Sequence, residues 1–235
     1  MAASNTIRWL PLESNPETIN SFLQKMGVKN SYAFVDILGF DSELLALVPQ
    51  PVIAVLLLFP CSELNEEKLR ASHSDDCSTC DTSDKKPYFI VQTIRNACGT
   101  IALIHAIANN TDTLQFEENS VLMDFIRKTA DLKPEDRSKE LEKDSNIGVA
   151  HEHCAQEGQT AAPDLNQSID FHFIALIEHD NRIYELDGRK SAPICHGKTS
   201  KETFLNDAGN VCKRFFDSCS NSYNFTAIAL AKQEP

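Results

Sequence analysis

Several absences narrow the reading before any motif is considered. No apolar run is long enough to cross a bilayer: the longest, VIAVLLLF at residues 52–59, falls well short of the roughly twenty residues a spanning helix needs. The opening residues, MAASNTIRWLPLE, have no basic flank followed by an apolar core, so the chain is expected to be soluble and cytoplasmic, with the nucleus open to it as well. Basic residues are few, 22 Lys and Arg against 34 Asp and Glu, and the net charge of -12 opposes both phosphate backbones and anionic membranes. Nucleic acid and membrane are therefore set aside as partners, and a basic or positively faced protein suits the charge. Only one CxxC pair occurs, Cys77 with Cys80, and a structural zinc site wants four spaced ligands, so the pair reads as surface thiols and no metal or cofactor is expected. With no secretory segment, the eight cysteines are expected to be thiols.

What is present suits a single domain over residues 1–235: 42% hydrophobic content in a chain of this length can bury one substantial core. Residues 7–12 read as an edge strand ended by Pro11. Asn15 then caps a helix with Pro16 at its first position and Ile19, Phe22, Leu23 and Met26 inward. After an extended stretch at 33–37, Asp41 caps a short helix over 42–47, stopped by Pro49 and Pro51. Residues 52–59, apolar on both faces, read as a central strand. Residues 61–87 turn charged and small and read as a mobile surface excursion. Helices are expected over 117–131 and 134–144, and residues 148–170, which follow no period, are expected to form a long exposed loop.

The chemistry centres on NACGT at residues 96–100. Residues 88–91 read as a short buried strand and 101–108 as a helix apolar on nearly every side, so Cys98 stands where a strand hands over to a buried helix. A helix N-terminus favours an anion and eases loss of the thiol proton. Cys98 can be read as a small core residue or as a nucleophile, and Gly99 favours the latter by clearing space beside the sulfur for an approaching backbone.

A nucleophile needs partners. Residues 170–178 and 182–187 flank His179-Asp180-Asn181-Arg182, a strong hairpin signal. If Asp180 and Asn181 form a two-residue turn, Asp187 falls opposite Ile174 and becomes the diagonal neighbour of His172, roughly 7 to 8 Å away between backbones. A carboxylate behind an imidazole fixes its tautomer and stabilises its cation, so Cys98, His172 and Asp187 form a candidate triad. His105 lies too far along the helix to reach the sulfur and reads as a core residue, while His151, His153, His179 and His196 read as surface. Gln92, polar at the end of the apolar stretch, is the candidate side-chain donor to an oxyanion, beside the Cys98 backbone N–H.

Taken together, Gln92, NACGT around Cys98, DFHFIAL with His172 and IYELDGRK with Asp187 resemble the ubiquitin carboxyl-terminal hydrolase family of papain-like cysteine proteases, in its short single-domain form. RWLPLESNP, AVLLLF and HEHCAQEGQT extend the likeness over nearly the whole chain. The resemblance implies an α+β papain-like fold, a central antiparallel sheet flanked by helices on a knotted backbone, and an active-site crossover loop at residues 148–168. It implies a deubiquitinating cysteine hydrolase that cleaves after the C-terminal glycine of ubiquitin, with Cys98 as nucleophile, His172 as general base and acid, Asp187 as its orienter and Gln92 as oxyanion donor. The crossover loop implies small adducts, precursors and short or unfolded extensions as leaving groups. Pro11, Leu12, Glu13, Glu17 and Asp36 would contact ubiquitin, or a ubiquitin-like modifier, on a monomeric enzyme. The alternative is a non-catalytic ubiquitin-binding module that stabilises or scaffolds its partner.

Overall fold

The computed structural model describes residues 7–61, 86–158, 170–218 and 224–233. Six strands form one sheet in the order β1-β6-β2-β3-β4-β5, and every neighbouring pair is antiparallel. They are β1 (Tyr32–Asp36), β2 (Val52–Pro60), β3 (Phe171–His179), β4 (Arg182–Leu186), β5 (Ile194–Lys198) and β6 (Thr226–Lys232). The seven helices among the described residues are α1 (Pro16–Lys25), α2 (Ser42–Leu45), α3 (Cys98–Ala108), α4 (Val121–Thr129), α5 (Pro134–Lys143), α6 (Ser145–Gln156) and α7 (Phe204–Ser218).

Alternation along the strands divides the core into two layers. Ala54, Leu56, Ala175, Ile177, Leu186, Ile228 and Leu230 share one hydrophobic cluster with Phe22 of α1, Leu103 of α3 and Phe125 of α4. Val55, Leu57, Ile174, Leu176, Ile183 and Ala229 share the other with Phe204, Val211 and Phe215 of α7. Strand β2, which lies between β6 and β3, is therefore covered on both faces, as its unbroken apolar run requires. Helix α3 is buried from Gly99 to Ile107 and lies against β2 and β3. A helix enclosed this way gains its stability from tertiary packing on every side.

Local signals place most boundaries. Asn15 Oδ1 accepts the Glu17 N–H at 2.9 Å with Pro16 in the first turn, Asp41 Oδ1 accepts the Leu44 N–H at 3.0 Å, and Asp144 caps α6. The β3–β4 hairpin closes through Asp180 and Asn181, both left-handed at φ 50° and 58°, with His179 paired to Arg182 and Ala175 to Leu186. That is the two-residue turn the dipeptide predicts.

Four expectations are corrected. Residues 7–12 form no strand; they run as an extended strap with one isolated bridge, Arg8 to Arg95. Residues 88–91 pair with no strand among the described residues, because side chains satisfy their backbone. Asn109 Oδ1 accepts the Tyr88 N–H at 2.7 Å, His105 Nε2 accepts the Ile90 N–H at 2.9 Å, and Arg137 and Ser138 donate to the Phe89 and Val91 carbonyls. Residues 148–156 belong to helix α6, with Ile147, His151, Cys154 and Ala155 buried, so they do not form the exposed loop expected from 148; residues 159–168 lie outside the described ones. Cys195 is disulfide-bonded, whereas Cys61, Cys98, Cys154 and Cys212 are thiols. The excursion at 62–85, with Cys77 and Cys80, also lies outside the described residues.

Candidate active site

Asn96 turns the chain into α3. Its φ of 64° is left-handed, a conformation asparagine tolerates, and its Nδ2 donates to the Trp9 carbonyl at 3.1 Å. Cys98 follows as the first helical residue, with no side-chain cap on the preceding Ala97, so the thiol sits among first-turn N–H groups that lack intrahelical acceptors. The residue is enclosed by protein yet keeps partial exposure, as a sulfur at the floor of a cleft would.

The hairpin delivers the other two groups. His172 Nε2 donates to Asp187 Oδ1 at 2.6 Å, with the residues 1% and 5% exposed. The same carboxylate oxygen accepts the Arg189 N–H at 2.9 Å. Phe59, paired with His172 across β2 and β3, meets the ring edge-on at 5.9 Å between centroids and limits its rotation. The remaining ring nitrogen, Nδ1, is buried without a hydrogen bond of regular geometry. Besides Asp187, the group that acts on this ring is Cys98, through hydrogen bonding and charge.

The electrostatics of the pair follow. Burial alone would push the imidazole down, but hydrogen bonding and charge from Asp187 and Cys98 carry it up to about 9. Burial likewise pushes the Cys98 thiol up; the His172 interaction, the Phe173 backbone and the Arg189 guanidinium outweigh it and bring the thiol below its usual range. The arrangement favours thiolate beside imidazolium, an attacking anion with its proton stored on the neighbouring ring.

Gln92 is tied beside this pair by its backbone N–H, which donates to the Gly188 carbonyl at 2.7 Å. Its Nε2 donates to the Ile94 carbonyl at 3.1 Å, and Oε1 is buried without a partner. The amide nitrogen must be the atom facing Ile94, since two oxygens there would repel, and its second N–H stays available to a ligand. Gly188 makes the approach possible: a Cβ there would lie 3.1 Å from Gln92 Cβ and 3.1 Å from Ile101 Cγ2. One glycine thus joins the Asp187 corner, the Gln92 segment and the nucleophile's helix.

The structure brings Cys98, His172, Asp187 and Gln92 to one place and separates the candidates for the binding surface. Glu17 and Asp36 are exposed, and Pro11 and Glu13 are half-buried. Leu12 is withdrawn from the surface at 7% exposure, because it fills the space Gly99 leaves: a Cβ on Gly99 would meet Leu12 Cβ at 3.1 Å. Gly99 therefore admits a core side chain, and the expected open path for a substrate backbone is not there. Two histidines expected at the surface are interior. His151 is 1% exposed and hydrogen-bonded through both nitrogens, and the His196 side chain pairs with Glu185 at 2.8 Å with both side chains 3% exposed. His105 is in the core, as expected, and its buried ring is held down to about 4 by desolvation. Arg189 and Gly188 escaped the sequence reading; their signal was adjacency to Asp187. Among the described residues, no cluster of three or more His, Cys, Asp or Glu could hold a metal, and no helix is long and apolar enough to cross a membrane.

Comparison with known proteins places the chain in a family. The family profile of ubiquitin carboxyl-terminal hydrolase, family 1, matches residues 9–217. The ubiquitin carboxyl-terminal hydrolase of Drosophila melanogaster is 45% identical over 225 residues, 95% of this chain and 97% of its own. Isozyme L1 of Homo sapiens is 44% identical over 222 residues, 94% and 97% of the two chains. Among solved structures, the UCH37 catalytic domain of Trichinella spiralis, bound to ubiquitin vinyl methyl ester, shares the fold with a TM-score of 0.76, 21% identity and 96% coverage of each chain.

Proposed function

The chain belongs to family 1 of the ubiquitin carboxyl-terminal hydrolases, and from that premise we propose that it is a deubiquitinating cysteine hydrolase whose nucleophile is Cys98. The observation that carries the residue assignment is the buried His172–Asp187 hydrogen bond of 2.6 Å beside a cysteine at a helix N-terminus. The Cys98 thiolate attacks the carbonyl carbon of the terminal glycine of ubiquitin, and the electron pair moves onto oxygen, where the Cys98 backbone N–H and the second N–H of Gln92 stabilise it. As the intermediate collapses the C–N bond breaks, and His172 gives its proton to the departing amine. Water, deprotonated by the now neutral His172, attacks the thioester; the free carboxylate leaves and the thiol is restored. Asp187 keeps the imidazole in one tautomer throughout.

The relatives' names support ubiquitin as the partner, and the net charge of -12 is complementary to a basic protein face. We assign that contact to Pro11, Glu13, Glu17 and Asp36. Action on ubiquitin-like modifiers, preference for small or unfolded leaving groups, a monomeric state, a cytoplasmic and nuclear location and the knotted chain path belong to the same proposal. Steady-state hydrolysis of a ubiquitin C-terminal fluorogenic amide tests it. Cys98→Ala is expected to lower turnover by at least about 10⁴-fold while retaining ubiquitin affinity within a few-fold. A wild type that binds ubiquitin but hydrolyses nothing would assign the chain to the binding-module alternative.

A further inference from the structure

The strap at residues 7–12 is laced to the start of α3. Trp9 N–H donates to the Arg95 carbonyl at 3.0 Å, Arg95 N–H donates to the Ile7 carbonyl at 3.1 Å, and Asn96 Nδ2 donates to Trp9 O. Leu12 packs on Gly99. Helix α6 closes over this junction and places one histidine into it. Of the four buried residues on that helix, Ile147, His151, Cys154 and Ala155, only His151 carries ring nitrogens that must be hydrogen-bonded to be tolerated there.

Both nitrogens find partners on the junction. Nε2 lies 2.7 Å from the Leu10 carbonyl oxygen, Nδ1 lies 2.7 Å from Thr100 Oγ1, and the ring packs against Trp9 at 4.3 Å between centroids, tilted by 34°. The tautomer follows from the partners: a carbonyl can only accept, so Nε2 carries the hydrogen, Nδ1 must accept, and the Thr100 hydroxyl donates to it. Burial holds the ring down to about 4, so this neutral arrangement persists at physiological pH. Thr100 is two residues from Cys98 on the same helical turn, and Leu10 is next to Pro11. A packing role alone would be met by an apolar side chain, whereas a ring with two opposed, directional bonds sets distance and angle between the elements it joins.

We propose that His151 is a positioning residue, bridging the N-terminal strap and Thr100 so that the turn of α3 bearing Cys98 is held in register with the strap that meets the substrate. This rests on the reading of Cys98 as nucleophile. The two bonds have separate consequences. The Thr100 bond aims the nucleophile, and the Leu10 bond sets the strap.

Three variants separate them. Asparagine at 151 can reproduce the acceptor at Nδ1 and loses the donor to Leu10; glutamine can reproduce the donor at Nε2 and loses the acceptor; Thr100→Val removes the hydroxyl from the other side. For each, kcat and KM on the ubiquitin C-terminal amide, the thermal midpoint, and the rate of Cys98 alkylation by iodoacetamide, followed by peptide mass spectrometry, are compared with wild type. Thr100→Val and His151→Gln are expected to lower kcat and Cys98 alkylation by about five- to tenfold, the worth of one such hydrogen bond, with KM within about twofold. His151→Asn is expected to raise KM by about fivefold with kcat and alkylation within about twofold. The proposal is overturned if all three merely lower the midpoint and the active fraction together, with kcat, KM and alkylation per folded molecule at wild-type values. The alkylation arm needs no ubiquitin, so a wild type inactive on the amide would sink the hydrolase reading while that arm still decides this one.

Discussion

His172 and His151 are the same side chain at the same 1% exposure, yet one is held as a cation and the other as a neutral ring. Burial pushes both down. At His172 the Asp187 carboxylate and Cys98 reverse the effect and carry the ring to about 9; at His151 the partners are a carbonyl and a hydroxyl, both neutral, and the ring stays at about 4. His105 behaves as His151 does, its strongest effect being desolvation and its bonding partners being backbone. The charge of a buried histidine in this fold is thus decided by the charge of what it bonds to. One histidine serves acid–base chemistry and the other serves geometry.

The strongest way to break the comparison is to neutralise the carboxylate. Asp187→Asn should make His172 resemble His151: its titration falls below about 7, the thiolate loses its counter-charge, and kcat/KM drops by roughly 10³-fold. NMR titration of His172 alongside the kinetics checks this. Retained activity with a charged His172 would mean Asp187 is not what separates the two rings.

The converse change sharpens it. Thr100→Asp sets a carboxylate against His151 Nδ1 in a side chain of similar size, and should lift His151 from about 4 to about 5–7, since an adjacent opposite charge is worth about 1–3 pKa units. NMR titration of His151 reads the result. A ring left near 4 would show that burial outweighs any partner at that site.

Stability against pH provides a smaller test with opposite signs. His172, raised in the folded state, contributes stability that is complete below its unfolded value near 6.5 and is lost as pH climbs towards 9. His151 and His105, lowered when folded, hold protons only after unfolding between pH 6.5 and 4, so their effect is to lose stability as pH falls through that window. Each histidine is worth up to about 3 kcal/mol, so the acid limb, which two of them share, is the larger. Urea unfolding from pH 4 to 9 should show both, with Asp187→Asn flattening the alkaline limb and His151→Gln softening the acid one. The smallest effect is expected at His153, exposed on the outer side of α6: His153→Ala should change stability by less than about 0.5 kcal/mol and leave kcat alone, by the same two assays.

The two histidines also mark how much was legible in the chain. The His172–Asp187 pair could be read in advance because a hairpin is local. Asp180-Asn181 selects a tight turn, the turn sets the register, and period-two alternation places the side chains, all within sixteen residues from His172 to Asp187. Cys98 at a helix start could be read for a similar reason. His151 could not, because its partners are Thr100, 51 residues away, and Leu10, 141 residues away. Helix α6 itself was obscured by Gly148 and by Ala and Gln residues that weaken its period, though Asp144 as a cap followed by Ile147, His151 and Cys154 at helical spacing was a usable signal.

By itself, then, the order of residues determined the elements that rest on neighbours: capped helices, a doubly buried β2, the hairpin, and with it the pairing of the histidine with its carboxylate. The tertiary structure alone decided what depends on contacts across the fold. It put Leu12 into the space beside Gly99, satisfied residues 88–91 with side chains instead of a strand, joined Glu185 to His196, and turned His151 inward. The physical reason is the same in each case. Local geometry follows from torsional preference and spacing, whereas whether a polar group is buried, and what it bonds to there, depends on which distant segment packs over it.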